Sequence, residues 1–352
     1  MAHHAFTSAI TGFLQSRGLP YAGNLLFATT QSGVELFFVL SGVVLLRPYA
    51  RRSRPFAPGQ YFLRRLQRLW PPYLVALAAE GAITWAGTRW PTWFTRDAQR
   101  PQFSLLDWAS QLGIVSFGWR QYNTAWWSLT VEVLFYILVP VLIPLLAARR
   151  VGKLWAVVML FAALGIGAAV LRWDERLNSA GWHALLLLLV YSPCFLLGMM
   201  IAKFDWPPRV GWALVGVGLA YILAAVQFPM LNVHAGFGLV YGGLVMTSFA
   251  TDSGLYRFLS SDLMVWLGER SYSLFLFHFT AFAAVNWAVS LISPDKDLGY
   301  FFVTRFVGIS IAFLGAMLIF HFVERRFARN LVTADQFWPP ISNGAADDGM
   351  DR

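Results

Sequence analysis

The fold class this chain predicts is all-α, a polytopic transmembrane helical bundle of about nine to ten spans, and three observations predict it. Hydrophobic residues make up 57% of the 352 positions and charged residues 13%, where soluble domains carry about 25% charged. Apolar runs near the length needed to cross a bilayer, about 20 residues, recur from end to end. Lys and Arg gather at alternate ends of those runs, as orientation in a membrane requires. Mean hydropathy is +0.55, so residues 1–330 read as one integral-membrane domain rather than two or three soluble ones. Residues 331–352 read as a polar cytoplasmic tail expected to be disordered.

In order, residues 1–16 are mildly apolar but too short and too polar to cross alone. They lack the basic flank and small-residue cleavage pattern of a signal peptide. Candidate spans follow at 33–47, 71–88, 127–147, 154–171, 183–202, 211–228, 234–250, 272–292 and 301–322, the first of them short. The ends that include Arg47, Arg51, Arg52 and Arg54 carry twice the basic residues of the opposite ends, so they and the C-terminus are assigned to the cytoplasm. The longest outer loop, about 89–126, lies in a Trp-rich stretch with Trp85, Trp90, Trp93, Trp108, Trp119, Trp126 and Trp127. Headgroup-level anchoring explains such rings, with a saccharide platform as the alternative for one or two.

The net charge of +9 sits at membrane boundaries, so it does not imply nucleic acid. A single cysteine, Cys194, excludes an intrachain disulfide and a Cys-based metal cluster, and no metal site is expected. Ionisable groups inside or at the edge of spans are costly, roughly 2.5–3.5 kcal/mol on insertion scales, and so become candidates for function. They are Glu35, Glu80, Glu132, His183, His234, His278, Arg305 and His321. His183, His234 and His321 lie near span ends, where headgroup contact suffices. Glu80 reads as a helix-packing hydrogen bond in its protonated form.

Glu35 interrupts the apolar run Gly33-Val34-Glu35-Leu36-Phe37-Phe38-Val39-Leu40-Ser41-Gly42. Glu132 follows Trp127 and Ser128, and Ser128 shares its helical face one turn away. His278 can form a polar seam with Ser271, Tyr272 and Ser273. His3 and His4 precede the first span, and imidazole is suited to take a proton from a hydroxyl near neutral pH. Arg64, Arg65 and Arg68 fall within about one helical turn before Trp70-Pro71-Pro72-Tyr73, as a cytoplasmic anion site or a positive-inside anchor.

Together these segments resemble the membrane-bound acyltransferase family 3. The resemblance rests on Gly33–Gly42, on Arg65 and Arg68 ahead of Pro72 and Tyr73, on Trp127 to Glu132, and on Leu267-Gly268 through Ser271, Tyr272 and His278. It implies an O-acyltransferase of a bacterial inner or plasma membrane, with no bound cofactor. The donor would be acetyl-CoA or another acyl-CoA on the cytoplasmic side. The acceptor would be a hydroxyl of an outer-facing or lipid-linked glycan, glycolipid or similar molecule. By that resemblance Arg65 and Arg68, with Arg64, hold donor phosphates; His4 or His3 is the general base; Glu35 and Glu132 orient the base or organise the polar core. Ser128, Trp127, Tyr272 and His278 support that core. The family's first span is almost wholly absent, which implies a further segment upstream or a shortened chain. Its late Glu-x-Pro reads here as Glu324-Arg325-Arg326. The alternative from another class is a transporter exporting an anionic or acylated metabolite through the same polar core.

Overall fold

The computed structural model describes residues 8–50, 56–97, 103–114, 123–147, 164, 167, 183–228, 231–293 and 298–329. Among them the only regular structure is helical. In chain order these are α1 (Ser8–Ser16), α2 (Pro20–Gln31), α3 (Gly33–Ala50), α4 (Pro58–Arg89), α5 (Trp93–Asp97), α6 (Leu105–Ser110) and α7 (Trp127–Ala147). Then come α8 (His183–Lys203), α9 (Pro208–Gln227), α10 (Val233–Thr247), α11 (Gly254–Leu259), α12 (Asp262–Ser290) and α13 (Leu298–Ile319). A π-helical turn at Phe320–Glu324 leads into α14 (Arg325–Arg329).

Six segments are long and apolar enough to cross a bilayer: Pro20–Tyr49, Thr124–Ile143, Ala184–Lys203, Pro208–Gln227, Asp262–Ser290 and Gly299–Phe327. Val233–Thr247 is a shorter apolar helix. The span predicted at 154–171 falls almost wholly outside the described residues, as do His3, His4 and the tail 331–352.

Two boundaries differ from expectation for identifiable reasons. The short first span gains length because α2 runs almost directly into α3, with only Ser32 between them. The Ser32 hydroxyl at that break donates to Thr29 O at 2.7 Å and shares a 2.6 Å hydrogen bond with Tyr241. The second difference is α4, which starts at Pro58 rather than at the Pro71-Pro72 pair. Pro58 occupies the first turn, where its missing N–H costs nothing. Pro71 and Pro72 lie inside the helix, and the Tyr272 hydroxyl of α12 donates to the neighbouring Leu69 O at 2.9 Å.

The bundle is ordered around α8. Its apolar window is 78% buried, whereas those of α9 and the α13 segment are 22% buried, which puts α8 at the centre and the other two at the periphery. Helix α3 packs on α8, α7 and α10, α9 packs on α10, and α12 packs between α4 and α13. The α3–α8 crossing is set by two glycines. A Cβ on Gly42 would lie closer than 3.0 Å to Phe195 O, and one on Gly198 equally close to Val39 O. Only backbone without side chains lets the helices approach so closely. Phe38, Phe135 and Phe195 fill the space beside the crossing, with ring centroids 4.9 Å apart for Phe38–Phe195 and 3.6 Å for Phe135–Phe195.

Candidate functional site

The bundle brings the sequence-derived residues into an inner cluster and an outer cluster, joined by α3. The inner cluster is built on one face of α4, where Tyr61, Arg65, Arg68 and Pro72 recur at helical spacing. The Arg65 guanidinium lies over the Tyr61 ring at 5.7 Å and the Tyr136 ring at 5.5 Å. These cation–π contacts aim it at the middle of α7. Glu132 stands there at 2% exposure, accepting a short hydrogen bond from the Tyr136 hydroxyl and a long one, 3.5 Å, from Ser41 of α3. Its second oxygen is buried with no hydrogen-bond partner among the described residues. The charges of both Arg65 and Arg68 act on this carboxylate.

Arg68 also acts on Tyr272 and Glu324, which close the other side. Glu324 is only 8% exposed and accepts a 2.5 Å hydrogen bond from Ser273 of α12. Arg64 and Arg68 are both exposed and Arg65 is half-buried; of the three, Arg65 and Arg68 are the ones whose charges act on Glu132.

The outer cluster centres on Glu35, 2% exposed, on the first turn of α3. Its Oε1 lies 2.5 Å from Nδ1 of His234, and its other oxygen is buried without a hydrogen-bond partner among the described residues. His234 Nε2 lies 3.3 Å from the Tyr191 hydroxyl, and the two rings stack at a tilt, with centroids 4.6 Å apart. Trp127 covers the far side of Tyr191 with centroids 5.3 Å apart. Asn232 caps α10 by accepting from the His234 backbone N–H at 3.2 Å, which fixes where the imidazole emerges. Headgroup contact therefore does not account for His234; a buried carboxylate holds it.

A third polar group braces the bundle between α4 and α12. Glu80 is fully buried and accepts from Thr280 at 2.5 Å, which is the packing role expected of it. Asn123 donates to the same hydroxyl at 3.3 Å, and Trp126 Nε1 donates to Leu276 O at 3.2 Å.

Two expected groupings come apart. Ser128 is buried but donates to its own Ala125 O at 3.4 Å; Glu132 turns instead to Tyr136. Helical side chains lean toward the N-terminus, so Tyr136 reaches back over Glu132 while the short Ser128 cannot reach forward. The seam on α12 also divides: Ser271 donates to Gly268 O, Tyr272 to Leu69 O, Ser273 to Glu324, and His278 Nδ1 to Phe275 O at 2.8 Å. Consecutive residues on a helix point about 100° apart, so Ser271, Tyr272 and Ser273 meet different neighbours and one seam becomes four separate contacts. The sequence does not single out Tyr191 or Tyr136, and it offers headgroup contact as sufficient for His234 and only a helix exit for Glu324. The local signals are the place of Tyr136 one turn from Glu132 and the ionisable character of His234 at a span edge.

A family profile described as an acyltransferase domain matches residues 1–323. The acyltransferase MdmB of Streptomyces mycarofaciens is 29% identical over 271 residues, covering 70% of this chain and 66% of that protein. A Staphylococcus aureus (strain COL) protein provisionally named as an O-acetyltransferase is 26% identical over 336 residues, 87% of this chain and 54% of its own length. The O-acetyltransferase OatA of Staphylococcus aureus (strain NCTC 8325 / PS 47) is 26% identical over 288 residues, 72% and 46% respectively. The chain thus spans from about half to just under two thirds of the length of these relatives. No solved structure gives a significant match.

Proposed function

Since the chain belongs to the membrane-bound acyltransferase family 3, we propose that it moves a short, acetyl-like acyl group from a cytoplasmic acyl-CoA to a hydroxyl of an outer-facing or lipid-linked acceptor, a carbohydrate by preference. The observation that carries this reading is the convergence on Glu132. Three segments distant in sequence from Glu132, supplying Ser41, Arg65 with Arg68, and Tyr272, meet it alongside Tyr136 of its own helix. Packing alone gives no reason to desolvate a carboxylate at such cost.

The chemistry follows from the charges. Arg65 and Arg68 are the donor-phosphate residues, since a guanidinium fork binds phosphate oxygens bidentately and stays charged in a half-dry site. Glu132, already held by Tyr136 and Ser41, orients the arginines rather than reacting. The acyl thioester then points along α3 toward Glu35, about 9 Å farther along the axis for the six residues from Ser41. At that end the acceptor hydroxyl is deprotonated and attacks the thioester carbonyl. The resemblance offers His4 or His3 for the base; both lie outside the described residues. The named relatives act by acyl or O-acetyl transfer, and nothing in them supports the transporter alternative.

The test is transfer of label from acetyl-CoA, supplied to inside-out vesicles containing the full chain, to glycan or lipid material of the same membranes. Labelled product that depends on Arg65 and Arg68 supports the reading. An unlabelled membrane fraction in the presence of folded protein refutes it.

A further inference from the structure

Arg305 of α13 carries a charge that neither cluster uses. From its setting we infer that Arg305 is the seat of a lipid phosphate, held at the seam between α12 and α13 and reached from the surrounding bilayer. Such a site stands whether or not the chain transfers an acyl group.

A guanidinium stays charged in a protein and offers five N–H donors. Among the described residues no carboxylate pairs with Arg305, and its one hydrogen bond is a long one, 3.5 Å, to the Thr304 hydroxyl. Its Nε is buried without a hydrogen-bond partner among the same residues. The polar groups nearby are committed to each other: the Tyr300 hydroxyl donates to Asn286 Oδ1 at 2.7 Å, and the Asn286 amide donates to Phe282 O at 2.6 Å. Two rings flank the cation instead, Phe301 at 5.1 Å and Phe282 of α12 at 6.0 Å. Rings present a face to the charge but take few of its N–H groups, so the donors remain without an acceptor.

The seam decides which anion can reach them. Thr304, Gly308 and Ala312 form the buried stripe of α13, and a Cβ on Gly308 would lie closer than 3.0 Å to the Phe282 ring, so α12 and α13 are in close contact on that side. Phe302, Phe306 and Val307 form an exposed stripe, which in a membrane-spanning helix faces lipid. Arg305 stands on the edge between the two, half-buried and in line with Phe301 and Ile309. An anion tethered to apolar chains approaches from that side, whereas a soluble one does not.

Depth agrees. Arg305 lies about 10 Å along the axis from Leu298, the first residue of α13, and long side chains on a helix lean toward its N-terminus. The contact with Phe301 brings the guanidinium one turn nearer that end, within reach of the headgroup layer. Phosphate is the matching partner, because the guanidinium fork meets its oxygens bidentately. Two sources carry that chemistry, the headgroup of an anionic phospholipid and the phosphate of a lipid-linked acceptor.

The experiment measures lipid binding to the purified full chain in detergent by native mass spectrometry. Its probes are dioleoyl-phosphatidylglycerol, a long-chain polyprenyl phosphate, and dioleoylglycerol, which has the chains of the first and no phosphate. Arg305→Gln should weaken binding of a phosphate probe roughly tenfold or more and leave dioleoylglycerol unchanged. Arg209→Gln, at an exposed basic position on α9, should leave all three within about twofold. Arg305→Lys covers the case in which Arg305→Gln fails to fold: it keeps the charge without the fork and should bind phosphate probes roughly threefold or more weaker than the wild type. The size of the loss identifies the source. A greater loss for phosphatidylglycerol means a headgroup, a greater loss for the polyprenyl phosphate means a lipid-linked acceptor, and equal losses mean that either is held. A folded Arg305→Gln protein that binds both phosphate probes as the wild type does overturns the assignment. So does Arg305→Lys with wild-type affinity, or a loss that extends equally to dioleoylglycerol. Acyl transfer is not read in this experiment, so its failure and that of the proposed reaction are separate results.

Discussion

Gly42→Ala is the most informative single substitution in the bundle, because the atoms in its way are backbone on both sides. The added methyl would fall closer than 3.0 Å to Phe195 O and 3.0 Å from Met199 N, where ordinary contact begins at 3.4 Å. Neither obstacle can rotate away, so α3 and α8 must part. Overpacking of this kind costs about 1–3 kcal/mol, and backbone obstacles place this case at the upper end of that range. The wedge also acts on function. Ser41 is the adjacent residue, and its 3.5 Å bond to Glu132 is at the limit before any displacement. Gly216→Ala is the control, since a Cβ there meets nothing within 4 Å and an alanine in a helix is favoured over glycine by about 0.5–1 kcal/mol. Thermal unfolding of both variants in the same detergent should show a midpoint several degrees lower for Gly42→Ala and an unchanged or raised one for Gly216→Ala. Equal midpoints would refute the claim that the crossing is backbone-limited.

Replacing Arg65 or Arg68 by Ala should raise the half-saturating acyl-CoA concentration roughly tenfold or more in vesicle assays, while Arg64→Ala should leave it within about twofold, because of the three it is Arg65 and Arg68 whose charges act on Glu132. Tyr136→Phe removes the main donor to a buried carboxylate and should cost about 1–3 kcal/mol of stability, measured by the same thermal unfolding. Cys194 is 1% exposed and lies against Gly238, so it should resist maleimide labelling in intact membranes and react fully after denaturation.

The membrane class and most spans were legible because they depend on composition and on runs of local sequence. So was the candidacy of Glu35, Glu132, Arg65 and Arg68, whose charge in or beside an apolar run is visible without a structure. Partners were not legible. Glu35 and His234 are 199 residues apart, and nothing near His234 distinguishes a ligand of a buried carboxylate from a residue at a span end. Ser273 and Glu324 are separated by 51 residues and meet only because α12 and the segment beyond α13 pack together. The Pro71-Pro72 pair misled for a different reason. Its ordinary meaning is a helix boundary, but the helix that begins at Pro58 runs through it and packs along α12.

The π turn at Phe320–Glu324 bears on how this chain is compared with others. There the Arg325 N–H reaches back to Phe320 O, so the turn holds one residue more than a regular one. Every side chain beyond it is rotated by about 100°, as though one upstream residue had been inserted. Glu324 faces Ser273 while Arg325 and Arg326 stay outside. An alignment to a relative whose last helix is uniformly α-helical therefore matches faces only when a single-residue gap is opened within 320–324. Without it, the acidic position that closes the site is paired with a residue on the wrong side of the helix.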